Sequence, residues 1–228
     1  MKITVLGTGV VGQTISEKLL ELGHEVFIGT RDVSNTMEKT NKDNFGRPPI
    51  NDWLQSNSKA KLIDFSTAAN SGELLINATS GSGSIAALKL CGNENLENKI
   101  LIDISNPLDF SKGMPPTLSI CNTDSLGEQI QKLFPNTKVV KTLNTMNANL
   151  MVNPKIIPGE HNLFLSGNDK SAKGEVEKLL ISFGWDKSNI IDLGDISTAR
   201  GTEMLLPIWL RLWSALGTSE FNFRIVKK

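Results

Sequence analysis

Residues 3–12 read Ile-Thr-Val-Leu-Gly-Thr-Gly-Val-Val-Gly, a short apolar strand pattern running straight into Gly7-x-Gly9-x-x-Gly12. A helix-patterned stretch over residues 14–22 and a second strand pattern over residues 25–28 follow at once. Strand, glycine turn, helix and strand in this order are the context in which such glycines cradle a pyrophosphate. Gly7 permits the tight turn, Gly9 lets a backbone approach the phosphates, and Gly12 lets the helix pack close on the strand. The N–H groups at the start of the helix then face phosphate oxygens. Gly7, Thr8, Gly9, Val10, Val11 and Gly12 are therefore read as a dinucleotide cradle.

The end of the second strand bears on which dinucleotide. A preference for NAD usually places an acidic residue there to bind the ribose 2′-hydroxyl, whereas this chain has Gly29-Thr30-Arg31. A carboxylate about 5 Å from a 2′-phosphate would cost roughly 3 kcal/mol at an effective dielectric near 20. Its replacement by Thr30 and Arg31 shifts preference on the order of a hundredfold towards NADP. Asp32 stands ready to neutralise Arg31, and a solvated surface charge is the competing reading of that arginine.

The chain has 228 residues, enough for one substantial core or for a dinucleotide domain with a small appendage. We expect a dinucleotide-binding domain over residues 1–148 and a C-terminal helical and strand extension over residues 149–228. Lysine plus arginine (24) equals aspartate plus glutamate (24), so there is no electrostatic footprint for nucleic acid or an anionic membrane, and a small molecule is the expected partner. The first strand pattern starts directly after Met1, which predicts no signal peptide, and Cys91 and Cys121 are expected to be reduced thiols in a cytoplasmic protein. The most apolar stretch, residues 204–216, contains Pro207 and Arg211, falls short of the ~20 residues needed to span a bilayer, and reads as buried helix.

Further along, a polar stretch over residues 33–61 contains Arg47-Pro48-Pro49 and a short helix pattern over residues 52–55; it is expected to be a surface insertion. Apolar runs then recur at Leu62-Ile63, Leu74-Leu75-Ile76, Ile100-Leu101-Ile102 and Val139-Val140, separated by helix patterns over residues 85–90 and 126–134. This alternation predicts an α/β, Rossmann-type doubly wound parallel sheet with a small C-terminal α+β extension. Ligands bind such sheets beyond the carboxyl ends of the strands. There the chain places Gly7-Thr8-Gly9, Gly29-Thr30-Arg31, Ala78-Thr79-Ser80, Ser105-Asn106-Pro107 and Asn144-Thr145-Met146-Asn147, all small or polar. Each alone has a reading as a turn or helix cap; together they make a cleft. Ala78, Thr79, Ser105, Asn106 and Asn144 are accordingly assigned to its nicotinamide side, and Ser80 and Pro107 are assigned to cofactor binding alongside them.

Residues 104–123 show little periodicity, and a loop of this length is a candidate wall for a second ligand. In the last third we expect a strand over residues 163–165, a helix over 170–181, a strand at Ile190-Ile191, helices through Leu216, and a final strand carrying Phe221, Phe223 and Ile225. Trp209 and Trp213, four apart on one helix face, suit core packing or a homodimer interface on the C-terminal helices better than a flavin platform.

Residues that are missing also constrain the chemistry. Without tyrosine there is no tyrosine-lysine acid pair. His24 and His161, the two histidines, read as solvated or capping groups, and no zinc or nucleoside-triphosphate motif is present. A hydroxyl dehydrogenase needs a group to move a proton, and only Lys141 is within reason; strand alternation leaves open which way it points. No catalytic residue is assigned. Hydride exchange between NADP and a second redox ring asks only that two atoms be held about 3–3.5 Å apart with water excluded.

On Gly7-Thr8-Gly9-Val10-Val11-Gly12, Gly29-Thr30-Arg31, Val139-Val140-Lys141 leading to Asn144-Thr145-Met146-Asn147-Ala148, and the tail from Ala199-Arg200-Gly201 to Leu216, the chain resembles the NADP oxidoreductases that use the deazaflavin coenzyme F420. The likeness runs nearly end to end. It implies NADP along the strand ends and a deazaflavin ring entering a cleft roofed by the C-terminal helices. The reductase domain of six-transmembrane ferric reductases is similar too and uses a conventional flavin. The best-known archaeal members carry histidine where this chain has Asn144 and lack the long insertions near residues 33–60 and 105–123. An NADPH-dependent imine or carbonyl reductase, and a non-catalytic NADPH-sensing module, are the alternative readings.

Overall fold

The computed structural model describes residues 1–42 and 48–228. Strands and helices alternate through β1 (Lys2–Leu6), α1 (Val10–Glu21), β2 (Glu25–Thr30), α2 (Val33–Met37), α3 (Ile50–Ser56), β3 (Lys61–Asp64), α4 (Phe65–Ser71), β4 (Leu74–Asn77), α5 (Gly81–Cys91), α6 (Asn93–Leu96) and β5 (Ile100–Asp103). A small hairpin, β6 (Leu108–Asp109) and β7 (Thr117–Leu118), precedes α7 (Leu126–Leu133) and β8 (Lys138–Lys141). The rest comprises α8 (Ala148–Val152), β9 (Leu163–Leu165), α9 (Lys170–Ser182), β10 (Ile190–Asp192), α10 (Ala199–Met204) and α11 (Leu206–Leu216).

Six strands form one sheet in the order β3-β2-β1-β4-β5-β8, with every pairing parallel. This is the doubly wound α/β fold expected from the alternation of patterns. The order reverses between β1 and β4, so a crevice opens beyond their carboxyl ends. Successive side chains serve opposite faces. Ile3, Val5, Leu74, Ile76, Ile102 and Val140 join Ile15, Leu19 and Val176 in one core, while Leu6, Leu75, Leu101 and Val139 join Leu88, Ile130 and Ala199 in the other. With both faces covered, the strands read as unbroken apolar runs.

Local signals set the helix ends. Asp64 and Asp169 accept from the amides of Thr67 (3.0 Å) and Ala172 (2.8 Å) to cap α4 and α9. Ser125 accepts from the Glu128 amide at 3.1 Å and donates to its carboxylate at 2.8 Å at the start of α7. The left-handed Gly217, φ +67°, ends α11.

Beyond β8 the chain stays attached to the sheet: Lys141 and Ser166 form an antiparallel bridge, and β9 pairs in parallel with β10. Five expectations need correction. The apolar stretch over residues 204–216 is helical but not a buried helix, because only Leu206 and Trp209 of α11 are buried while Ile208 and Leu216 are exposed. The stretch over residues 33–61 is not simply a surface insertion, because Ile50 and Trp53 of α3 are buried in the same core as Ile3 and Ile15; Arg47 lies outside the described residues. The loop over 104–123 is not featureless, since it carries the β6–β7 hairpin. Phe221, Phe223 and Ile225 lie in no strand. Their segment is instead pinned by single bonds, Asn162 donating to the Phe223 carbonyl at 2.8 Å and Ile225 donating to the Asn162 side chain at 2.6 Å. His161 is neither solvated nor a cap: it is buried edge-on to Trp185, with Nε2 2.9 Å from the Pro154 carbonyl.

Candidate active site

At the switch point, backbone meets backbone. Gly7, at φ +117°, donates to the Gly29 carbonyl at 3.0 Å, and a Cβ there would lie 2.7 Å from the Ala78 carbonyl oxygen. A side chain at Gly12 would run into the Gly7 carbonyl. At Gly9, by contrast, a Cβ would meet nothing within 4 Å among the described residues, so they leave the turn as an open cradle. Gln13 braces it by donating to the Thr8 carbonyl at 3.0 Å, and α1 begins at Val10 with no side-chain cap. The positive end of the α1 dipole thus points into a groove of about 400 Å³.

Gly7, Thr8, Gly9, Thr30, Arg31, Ala78, Thr79 and Ser80 all line this groove. At its β2 end the Thr30 hydroxyl is buried and hydrogen-bonded to the Thr36 hydroxyl at 2.7 Å, so it ties β2 to α2 while Thr30 also lines the groove. Asp32 uses its carboxylate to accept from the Asn35 amide at 2.9 Å, capping α2. Among the described residues Arg31 makes no ion pair, with Asp32 or otherwise. Lys39 also lines the groove and was missed from the sequence; a second cation just past the helix that follows Arg31 is the signal that would have found it.

A second cavity, about 140 Å³, continues from the first. Val11, Ala78, Thr79, Asn106 and Asn144 meet there with Ile104, Met146, Met151, Leu206 and Trp209. Asn106 donates to the Asn144 carbonyl at 2.8 Å and Asn144 returns a bond to the Asn106 side chain at 2.9 Å. The residue before Asn144, Leu143, is held at φ +61°, a conformation costing a non-glycine residue roughly 1–2 kcal/mol. Trp209 descends from α11 as part of the roof and stacks on Phe221, centroids 5.3 Å apart, with Trp213 at 5.8 Å. A third cavity of about 360 Å³ lies between the 104–123 loop and α11, lined by Met114, Pro115, Leu210, Arg211, Trp213 and Ser214.

Other assigned residues stand elsewhere. Gly12 packs under the turn. Ser105 is buried with its hydroxyl on Asp103 at 2.6 Å, and the Pro107 carbonyl accepts from the Ser119 amide at 2.8 Å; neither residue lines these cavities. Both follow β5 in sequence, but the Ser105 hydroxyl turns down to Asp103 before Asn106 enters the cleft, and Pro107 after it is tied to Ser119 beside the β6–β7 hairpin.

Beneath the cleft lies a buried ionic cluster. Lys141 sits between Asp103 and Glu203, 2.8 Å from each, and also donates to the Ser105 carbonyl. Burial pushes its pKa down, but the two adjacent carboxylates more than reverse this and hold it above the ordinary lysine value. Glu203 also accepts from the amides of Leu126 (2.8 Å) and Gly127 (3.0 Å) at the start of α7. Asp103 accepts from Asn77 at 2.8 Å, and Asn77 accepts from the Thr79 hydroxyl at 2.6 Å. Lys141 is therefore fully buried on its two carboxylates and lines neither cavity. The Asp103–Lys141 register across β5 and β8 was the available sign of the pair. Arg200, next to this cluster in α10, clamps Glu128 through two bonds of 2.7 and 2.5 Å.

A dinucleotide groove at the switch point of a Rossmann sheet, continuous with a small pocket lined by apolar and amide side chains, fits an NADP-dependent oxidoreductase. Residues 2–107 match the family described as NADP oxidoreductase coenzyme F420-dependent. The crystal structure of a protein provisionally described as an F420-dependent NADP-reductase, from Arthrobacter sp. FB24, is 57% identical, covers 100% of both chains and superimposes with a TM-score of 0.93. The chain belongs to this family. Metalloreductase STEAP3 of Rattus norvegicus is 25% identical over 213 residues, which are 91% of this chain and 38% of that longer protein. A reductive aminase from Aspergillus terreus, solved with NADPH and ethyl levulinate, shares the fold at 14% identity and a TM-score of 0.62, over 94% of this chain and 62% of that one. Among the described residues no helix is long and apolar enough to cross a membrane.

Proposed function

We propose that this enzyme exchanges a hydride between NADP(H) and a flat ring acceptor, a deazaflavin or a flavin. The observation that carries the reading is the lining of the smaller cavity: among the described residues that line it no side chain is ionisable, and apolar, amide and hydroxyl groups surround it instead. NADPH supplies a proton with two electrons from its nicotinamide ring; a ring acceptor takes these directly and draws its remaining proton from solvent. The protein's part is to bind, orient and exclude water.

In this reading Gly7, Thr8 and Gly9 with the start of α1 hold the pyrophosphate, and Arg31 with Lys39 holds the 2′-phosphate. Val11, Ala78, Thr79, Asn106 and Asn144 flank the nicotinamide. Met146 and Trp209 keep water from it. The cavity between the 104–123 loop and α11 receives the acceptor. An imine or carbonyl substrate would need a proton donor, and Lys141 is buried and committed to two carboxylates.

Stopped-flow oxidation of NADPH against oxidised coenzyme F420, with FMN in parallel and NADH as control donor, tests the proposal. Fast turnover with NADPH and a ring acceptor is expected. Binding without oxidation by either acceptor would overturn it, and a pH–rate profile with a clear general-acid limb between pH 5 and 9 would point to the imine or carbonyl chemistry.

A further inference from the structure

The buried ion pair reaches the cleft through one hydroxyl, and the chain of bonds between them has a fixed polarity. The Asp103 carboxylate, paired with the Lys141 ammonium at 2.8 Å and fully buried, accepts hydrogen bonds and donates none. Asn77, also fully buried, lies with Nδ2 2.8 Å from Asp103 Oδ1, so its NH2 must face the carboxylate and its carbonyl oxygen must face the other way. That oxygen is 2.6 Å from the Thr79 hydroxyl and 3.3 Å from the Thr79 N–H. A carbonyl oxygen cannot donate, so the Thr79 hydroxyl gives its only proton to Asn77. Ser84 completes the arrangement: it accepts from Asn77 at 3.1 Å and stands 2.9 Å from Thr79 and 3.1 Å from the Ser80 carbonyl. Towards the cleft, Thr79 Oγ1 is left as an acceptor. Thr79 also lines both the dinucleotide groove and the smaller cavity, at their junction.

We infer that Thr79 is a specificity-determining residue for the nicotinamide half of the cofactor, accepting a hydrogen bond from the carboxamide NH2. The inference rests on the reading above that the nicotinamide occupies the smaller cavity. A carboxamide carries a donor end and an acceptor end, and a partner that only accepts engages the NH2 end and turns the carbonyl end away. The orientation of the amide, and with it the ring, is then set from beneath the cleft by the Asp103–Lys141 charge.

The test compares dissociation constants of NADPH and of its 3-acetylpyridine analogue in reduced form, in which a methyl group replaces the NH2. Both are measured by fluorescence titration on the wild type, Thr79→Val and Thr79→Ser, with thermal unfolding as a check on each variant. Thr79→Val should weaken NADPH about 10-fold and the analogue by less than about twofold, while Thr79→Ser keeps the wild-type discrimination. Thr79→Ala gives the same ratio should the valine variant fail to fold. Equal loss for both cofactors would overturn the inference, assigning the hydroxyl to a ribose hydroxyl or to packing alone. No acceptor enters these measurements, so failure here is distinct from failure of the proposed hydride exchange, which would show as NADPH bound and no ring acceptor reduced.

Discussion

Lys141 and Glu203 form an ion pair of 2.8 Å in which neither side chain has more than 1% of its surface exposed. The pair joins the last strand of the main sheet to α10, the helix directly before the one that roofs the cleft. Lys141→Met removes the cation shared by two buried carboxylates. Its unfolding free energy should fall by about 3–5 kcal/mol, measured by urea denaturation at pH 7. Burial lowers the Lys141 pKa and the carboxylates raise it by more, so the folded value lies above the ordinary 10.5. The contribution of the pair is therefore complete below pH 10.5 and is lost only as pH rises through the raised value.

Arg31 and Lys39 line one end of the dinucleotide groove from either side of α2. If they hold the 2′-phosphate, Arg31→Ala should raise the dissociation constant of NADPH by roughly 10- to 100-fold and leave that of NADH nearly unchanged. Lys39→Ala should act in the same direction more weakly, as a point charge without a fork of donors. Isothermal titration with both cofactors at two salt concentrations checks this, the NADPH affinity falling with salt and the NADH affinity much less.

The two cysteines should separate cleanly by reactivity. Burial, assisted by the Asp64 charge, pushes the Cys91 thiol up to about 12, and Cys121 is exposed. A chromogenic disulfide reagent at pH 8 should modify Cys121 alone in the folded protein, with Cys91 reacting only in denaturant. Peptide mapping of the labelled site identifies which thiol reacted.

Asp169 gives the acid side of the stability curve. Its carboxylate accepts from the Ser171 hydroxyl and the Ala172 amide and lies beside Lys138, which together depress its pKa to about 2. A depressed carboxyl stabilises the fold above its unfolded value of 3.8, and that contribution disappears as pH falls from there to about 2. NMR titration should find Asp169 near 2 in the wild type, and Ser171→Ala should move it back towards 3.8.

Much of the cleft could be read in advance because its floor is built from local signals. Apolar runs ending in Gly7, Gly29, Ala78 and Asn144 mark strand ends, and a parallel sheet brings such ends to one edge. What escaped is what depends on partners distant in sequence. Lys141 had two possible orientations, and the choice is made by Asp103 across the sheet and by Glu203 from α10. Ser105 sits in the same short motif as Asn106, yet its hydroxyl turns down to Asp103 while Asn106 turns up to Asn144. Phe221, Phe223 and Ile225 alternate as a strand would, but Asn162 offers them isolated bonds and no ladder, so the pattern stays without a sheet. His161 was misjudged for a similar reason, since its burial depends on Trp185 and on Asn222, which lies 2.9 Å away in the tail.

The stack of Trp209 on Phe221 has a meaning for biosynthesis. Every described residue that lines the larger groove lies before position 90, whereas Leu206, Trp209 and the Phe221 stacked on it, over the smaller cavity, come from positions 206–221. During translation, which delivers the amino-terminal part first, the glycine cradle leaves the ribosome long before the residues that close the smaller cavity. A chain cut short before position 206 would keep every described residue that lines the larger groove and lose Leu206, Trp209 and Phe221 from over the smaller cavity.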